Sequence, residues 1–369
     1  MKDLLDGLTP GSRLVLDILW RNGPLPRAHV ASIAGFTRAA VTNIADELIE
    51  RGLIAENEPE RGKRGQPARP LALNGSAGYA VGITFSTSFG EVGILDFAGK
   101  VIGRSTFPLT SPTPELIGES ASVAIKLIAT RCGLARKRQV GVGIAIPADF
   151  DTDGIALPHR LFPDLAGAGL AERFTQGLNL PVILENDGRS SAIGERLLGV
   201  GAAYGTFMLV HLGHGVGGGL IIDGKPYRGA LGNAGILGQY YPYGQPRPSG
   251  FDLLETLQAN GFDAQDFDWL DSLPDDCDAV VDAWVNRSAD QLSGDLARIS
   301  RFFGPEAVIL AGRLPSAILD RLREAIDFEA VLRPMDNLPI TPVLASRLGA
   351  AAGVIGAAAV PILDALSIA

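Results

Sequence analysis

Glu185-Asn186-Asp187 closes a short apolar run, Val182-Ile183-Leu184, that opens at Pro181 and leads into a helix-like segment from Ser190 to Leu198. This is the pattern of a buried strand carrying an acid and an amide to the mouth of a cleft. An unpaired carboxylate at such a point is costly, so Asp187 is expected to hold a partner or a ligand. Two readings stand side by side: Asn186 and Asp187 as a ligand-facing pair, with a catalytic acid among their uses, or as a helix cap. A second stretch, Leu212-Gly-His-Gly-Val-Gly-Gly-Gly219, supplies glycine at 213, 215, 217, 218 and 219. Such a turn lets backbone amides approach a phosphate, and glycine equally serves tight strand packing. A third group is basic: Arg61, Lys63, Arg64 and Arg69 fall within nine residues that contain no acid. That cluster suits a confined anionic partner, or else a solvated linker.

The basic cluster is positioned by the first 75 residues. Thr9-Pro10 reads as an N-cap followed by proline at the first helical position. Leu14, Val15, Ile18 and Leu19 repeat at helical spacing as far as Asn22-Gly23. Pro26 opens a second short helix with Val30, Ile33 and Ala34 facing inward, ended by Gly35. Thr37 caps a third, about Arg38 to Arg51, with the stripe Val41, Ile44, Ala45 and Leu48. Leu53-Ile54-Ala55 and Arg69 to Leu73 read as two strands around a turn rich in glycine and proline. Three helices followed by a basic hairpin describe a winged helix-turn-helix. Arg38, Ala39, Thr42 and Asn43 at the start of the third helix are then expected at DNA base edges and backbone. Arg61, Lys63, Arg64 and Arg69 on the wing are expected at phosphates or in a minor groove. The same stripes would also suit a small helical dimerisation domain.

The remaining chain positions Asp187. Three strands (80–85, 91–96, 101–106) precede a helix from about Pro114 to Cys132 and the buried strand Val140 to Ile146. A similar order recurs: strands at 206–212, 217–223 and 225–228, helices near 250–260 and 278–303, then a strand at 307–311. A helix over Pro315 to Ile326, a strand at 340–344 and a closing helix at 348–366, with Pro361 inside it, complete the chain. Two lobes of three strands, each followed by alternating helix and strand, predict a duplicated α/β unit with a cleft between the lobes. The expected division is 1–75 for the winged helix, 76–190 with 348–369 for the first lobe, and 191–347 for the second.

Composition narrows the class. The net charge of −9 argues against a protein that coats nucleic acid. Residues 1–75 carry ten basic and nine acidic residues, leaving 22 basic and 32 acidic for the rest, so the acidity lies outside the proposed wing. No apolar run approaches the ~20 residues that span a bilayer, and no signal peptide is legible at the start. Cys132 and Cys277 are too few and too far apart for a disulfide framework or a thiolate site, which fits a reducing cytoplasm.

Several segments, in the right order, resemble the ROK family of repressors and sugar kinases. They are Gly141-Val-Gly-Ile-Ala-Ile-Pro147, Glu185-Asn-Asp187 with Ser191-Ala-Ile-Gly-Glu195, Leu212 to Gly219, and Gly229-Ala-Leu-Gly-Asn-Ala-Gly235. The N-terminal winged helix is similar to that of the family's repressor branch. The resemblance implies an α/β chain: a winged helix-turn-helix followed by a two-lobed, actin-like and sugar-kinase-like (ribonuclease H-like) domain. It also implies a sugar pocket that includes Asn186, Asp187 and Glu255, with Gln239 where the family has a histidine and Ile236 where it has a glutamate. His159, in Leu157-Pro158-His159-Arg160, matches a loop over the sugar. Tyr240, Tyr241 and Tyr243 either stack on a ligand ring or cover their own loop. A kinase of this family needs an acid at the end of the first strand and glycines after it. Here that stretch is Thr84-Phe85-Ser86-Thr87-Ser88, and His214 stands in the second turn where a threonine is usual. The family's zinc ligands, a histidine and three cysteines, correspond to Gln239, Pro246, Pro248 and Leu253, which do not suit a metal.

The expectation is therefore a cytoplasmic, sequence-specific transcription regulator of repressor type. Its partners would be double-stranded operator DNA and a sugar or sugar derivative, in a homodimer or homotetramer, with no cofactor, no metal, no membrane and no catalytic residue. The alternatives are a sugar kinase with residual activity, and a regulator answering to a protein partner.

Overall fold

A computed structural model describes residues 5–58, 69–332 and 338–366. The chain forms two compact units, Met1–Ile144 with Gly169–Leu184 and Ala357–Ala369, and Ala145–Ala168 with Glu185–Gly356. The winged helix thus belongs to the same unit as the first sheet, and residues 145–168 belong to the second unit.

In the first unit, α1 (Pro10–Asn22) starts where the Thr9 hydroxyl accepts from the Ser12 amide at 3.1 Å, and stops at Gly23. The short α2 (Arg27–Ala34) ends at the left-handed Gly35. The third helix, α3 (Arg38–Glu50), is capped by Thr37, whose hydroxyl accepts from the Ala40 amide at 3.2 Å. Strands β2 (Ile54–Glu56) and β3 (Pro70–Leu73) pair antiparallel and form the described part of the wing. A strand not foreseen, β1 (Leu25–Pro26), adds to β3, so the order is β1-β3-β2. Its two residues carry no period, and Pro26 lacks an amide hydrogen, as an edge position permits. Ile33 corrects the sequence reading: it is 49 % exposed. The buried side of α2 is centred on Val30, Ala31 and Ala34, and at 100° per residue Ile33 lies roughly 110° from that centre.

Val15, Leu16, Leu19, Val41, Ala45, Leu48 and Leu71 share one core with Ala80, Phe97, Val140, Ile362 and Leu366. The helix-turn-helix is therefore packed onto the sheet rather than tethered to it. Each fully buried Leu or Val there contributes about 1.5–3 kcal/mol. The sheet itself comprises β4 (Tyr79–Phe85), β5 (Phe89–Asp96), β6 (Val101–Pro108), β7 (Gln139–Ile146) and β8 (Val182–Asn186), in the order β6-β5-β4-β7-β8. Strands β4, β5 and β6 are antiparallel, and β7 runs parallel to β4. Helices α4 (Pro114–Arg131) and α5 (Leu170–Leu178) pack on each other.

The second unit opens its helical part with α6 (Asp187–Leu198) and repeats the strand plan. Strands β9 (Phe207–Leu212), β10 (Val216–Ile222) and β11 (Lys225–Tyr227) are antiparallel, as the first three strands of the other sheet are. The order is β11-β10-β9-β12-β13, and β12 (Ala307–Gly312) and β13 (Val343–Ala345) complete the sheet parallel to β9. Helices α7 (Gly250–Ala259), α8 (Asp278–Phe303) and α9 (Ser316–Ala325) cover it around the buried Trp284, Leu292 and Leu296. The closing helix α10 (Ala351–Leu366) contains Pro361.

Candidate functional site

The third helix presents two faces of different chemistry. Val41, Ala45 and Leu48 are buried, while Arg38, Ala39, Thr42 and Asn43 are all exposed. The Thr42 hydroxyl donates to the Arg38 carbonyl at 2.9 Å, which leaves its oxygen lone pairs outward as acceptors. Arg27 at the start of α2 ties the wing to this helix: it pairs with Glu56 on β2 and with Asp46 on α3, the latter at 3.2 Å. The Arg27 guanidinium beside Glu56 holds that carboxyl below its usual range. Arg69 is exposed and 3.7 Å from Glu56, so a phosphate would compete with that acid for it. Arg61, Lys63 and Arg64 lie outside the described residues.

The strand-to-helix junction at 185–189 is an ion-pair frame. Glu185, 2 % exposed, accepts from Arg189 Nε at 2.7 Å and from the Asn186 amide at 2.9 Å with one oxygen. Its other oxygen accepts from Arg228 Nη2 at 2.6 Å. Asn186 takes the capping role: its side-chain oxygen accepts from the Arg189 amide at 3.1 Å and its Nδ2 donates to the Ala148 carbonyl at 3.1 Å. Of the two readings offered for Asn186, these bonds give the helix cap, since a buried amide finds partners inside the protein when the helix end needs them.

Asp187 differs. It is partly exposed; one oxygen accepts from the Gly188 amide at 2.8 Å, and the other lies 3.9 Å from His211 Nε2. Ser191 donates its single hydroxyl hydrogen to the Asp187 carbonyl at 2.9 Å, so its oxygen accepts from His211 Nδ1, 3.0 Å away. That fixes the neutral tautomer with a bare lone pair on Nε2, facing Asp187. Burial pushes the His211 ring below its ordinary range. Two acceptors thus stand side by side, with no hydrogen bond linking them among the described residues. Asp149, which no sequence reading singled out, adds a third: burial raises its carboxyl, and the nearby Asp187 raises it further. The signal was available, because Asp149 follows the apolar strand β7 and Pro147 much as Asp187 follows β8.

Helix α6 comes this close because of glycine. A Cβ on Gly188 would sit 2.6 Å from the Gly218 amide nitrogen, and one on Gly219 would sit 2.9 Å from Arg189 Cα. The glycines of β10 serve the contact of helix and strand. The turn before them is closed on itself by Gly213 N donating to Gly215 O at 3.0 Å. In the first unit, the turn between β4 and β5 is likewise closed: Ser86 N donates to Phe89 O at 2.7 Å, and Ser88 N to Ser86 Oγ at 3.4 Å.

His159 lies near enough to Asp187 for that charge to act on it, although burial dominates and lowers its pKa. Its Nδ1 accepts from the Leu161 amide at 3.2 Å and its Nε2 lies 2.8 Å from the Tyr243 hydroxyl. His214 packs edge-on against Phe162 and Phe267, at 5.8 and 5.1 Å between ring centres, and burial pushes its pKa down to about 3. Gln239, on a short turn, and Glu255, on α7, are exposed and make no hydrogen bond to Asp187 or His159 among the described residues. Tyr240 and Tyr243 are also exposed, whereas Tyr241 is buried and donates to Asp295 Oδ2 at 2.8 Å, holding its own loop.

A family model described as ROK family matches residues 86–250, and one described as MarR family matches residues 6–65. The chain is 36 % identical to the uncharacterized protein y4fQ of Sinorhizobium fredii, over 97 % of this chain and 92 % of that one. It is 23 % identical to the DNA-binding transcriptional dual regulator NagC of Escherichia coli, over 89 % of this chain and 87 % of NagC. A solved ROK family transcriptional regulator, a homolog of the E. coli MLC protein, has the same fold with a TM-score of 0.69. That match is at 20 % identity and covers 96 % of this chain and 95 % of the other. The two matched regions, the relative matched along nearly its whole length and the repeated strand plan agree: the chain belongs to the ROK family, in its branch with an N-terminal helix-turn-helix.

Proposed function

We propose that the protein is a sequence-specific transcription regulator of repressor type, which binds an operator through α3 and the wing and responds to a hydroxyl-rich small ligand at Asp187. The observation that carries the DNA half is the exposed face of α3, where Arg38, Ala39, Thr42 and Asn43 offer short and hydrogen-bonding side chains to a major groove. NagC, a DNA-binding regulator by its description, supports the same reading. The ligand half rests on chemistry. Asp187 and the bare Nε2 of His211 are neighbouring acceptors, and sugar hydroxyls supply the donors they lack. Asp149 extends the acceptor set, and Gln239 and Glu255 remain candidates at its margin. Because the winged helix shares a core with the first sheet, a ligand that biases the arrangement of the lobes also biases the spacing of two winged helices in a homo-oligomer.

Phosphoryl transfer is not part of this reading. No acid stands in the stretch 84–88, and the amides at Ser86, Ser88 and Gly213 already have partners inside the protein. The zinc-ligand positions hold Gln239, Pro246, Pro248 and the fully buried Leu253, whose side chains do not fit a metal. The test is fluorescence anisotropy on DNA from the region upstream of the protein's own gene, with and without a panel of sugars, beside an ATP-turnover assay on the same panel. Specific binding weakened by one sugar is the expected result. Turnover of ATP with any sugar, or no preference for that DNA over random DNA, overturns it.

A further inference from the structure

The loop between Gly238 and Ser249 contains Pro242, Pro246 and Pro248, and it runs from a single short turn to α7. It is held at its margins by Tyr241 on Asp295 and by Gln291 Nε2 donating to the Pro246 carbonyl at 2.8 Å. Its middle is organised by a cation. Arg247 is only 5 % exposed, and its guanidinium carbon lies 3.6 Å from the centre of the Tyr243 ring. Its Nη2 donates to the His214 carbonyl at 2.9 Å, and its backbone amide donates to Asp252 Oδ2 at 3.2 Å. Asp252 is anchored in turn by Trp284 Nε1 at 2.9 Å and by Arg287. Among the described residues no carboxylate pairs with the Arg247 side chain, so the aromatic face and a carbonyl are what hold this buried charge.

The far side of Tyr243 reaches a second loop. Because the Leu161 amide donates to His159 Nδ1, the His159 proton sits on Nε2 and is donated to the Tyr243 oxygen. His159 also lies at 5.4 Å from Phe162, and Phe162 packs on His214. One chain of contacts therefore runs from Arg247 through Tyr243 to His159, the residue whose ring feels the charge of Asp187.

We propose that Arg247 is a positioning residue: acting through Tyr243, it holds the 156–163 loop and His159 in place beside Asp187, in a loop whose own residues do not fit a metal. The clasp itself stands on contacts alone; its consequence for ligand binding rests on reading Asp187 as the effector site. Hydrogen exchange of the full-length chain, followed by mass spectrometry without ligand or DNA, separates the two. Tyr243→Phe keeps the ring under the guanidinium and loses the bond to His159. It is expected to speed exchange about 5- to 10-fold in 156–163 and leave 245–252 unchanged, with the melting temperature barely moved. Arg247→Ala speeds exchange in both segments, and Arg247→Lys does not rescue it, because an ammonium cannot stack as a planar fork does. EDTA leaves the wild-type pattern unchanged. The proposal is overturned if Tyr243→Phe leaves 156–163 as protected as before, if Arg247→Lys restores both segments, or if EDTA alone reproduces the Arg247→Ala pattern. If Arg247→Ala does not fold, Tyr243→Phe and the EDTA arm still decide.

Discussion

Glu185→Ala tests whether the frame under Asp187 is an ion-pair structure or merely a strand end. Glu185 and Arg189 are 2 % and 4 % exposed, and the carboxylate accepts from two arginines and one backbone amide at 2.6–2.9 Å. Removing it leaves the buried Arg189 guanidinium, among the described residues, with the Gly232 carbonyl, which accepts from its Nη1 at 2.8 Å, as its hydrogen-bond partner. Breaking one partner of a buried pair costs about 3–5 kcal/mol, because the remaining charge is uncompensated. For a unit of this size that corresponds to a fall of roughly 6–20 °C in its unfolding midpoint. Urea unfolding followed by circular dichroism would measure it, with Arg189→Met and the double variant closing the cycle. The double variant is expected to lose less than the two single changes added together, by at least about 1 kcal/mol, since it leaves no orphaned charge. If Glu185→Ala costs under about 1 kcal/mol, or the two changes simply add, the pair is not what sets the end of β8 and the start of α6.

Four other outcomes can be measured on the same protein. Gly218→Ala should lower stability by about 1–3 kcal/mol in urea unfolding, because its Cβ would lie 3.0 Å from the Leu209 carbonyl oxygen and closer still to that of Gly235. In the unfolded chain His214 takes up a proton near pH 6.5, and in the fold only near 3. Its contribution is therefore complete above pH 6.5 and is lost as pH falls through that window, at up to about 1.4 kcal/mol per pH unit. A stability-versus-pH series should thus be flatter for His214→Phe between pH 6 and 4 than for wild type, and equal slopes would refute the assignment. Asn43→Ala should weaken anisotropy-measured binding to the operator by about 1–3 kcal/mol with little change on random DNA, whereas Arg69→Ala should lower the salt slope on both by about one.

The helix ends were legible because their signals are local. Thr9, Thr37, Gly23 and Gly35 fix caps and stops through contacts within four residues, and each appears in the fold where the sequence places it. The stripe on α3 and, on α1, Val15, Ile18 and Leu19 were legible for the same reason, since a 3.6-residue period needs no knowledge of the partner, although Leu16 is buried on α1 where Leu14 was expected. What escaped was set by contacts far along the chain. Ile33 points outward because α2 is covered from one direction only, and β1 exists because β3 passes beside Leu25 and Pro26. Asn186 carried both readings in its neighbours, and the Ala148 carbonyl, 38 residues earlier, helps decide for the cap. The His159–Tyr243–Arg247 chain was invisible for a similar reason: its members stand 84 residues apart across the Tyr243–His159 bond, and no period links them.

The glycines at 217–219 show how one sequence pattern can answer to two physical demands. In sequence they read equally as a phosphate turn or as close packing. In the fold, the backbone of Gly218 abuts Gly188, and a side chain on Gly219 would meet Ala192 and Arg189 and push α6 off β10, whereas one on Gly218 would meet the Gly235 and Leu209 carbonyls. That contact places Asp187, whose Oδ1 lies 3.7 Å from the position a Gly217 Cβ would take, together with His211 on β9. Replacing Gly218 or Gly219 carries a packing penalty whether or not a phosphate ever arrives. The first turn, Ser86-Thr87-Ser88, closes on itself, its Ser86 amide on the Phe89 carbonyl and its Ser88 amide on the Ser86 hydroxyl. Packing between Gly188, Gly218 and Gly219 therefore guards the geometry around Asp187 independently of any phosphate, so the proposed ligand-sensing role of Asp187 does not depend on phosphoryl transfer.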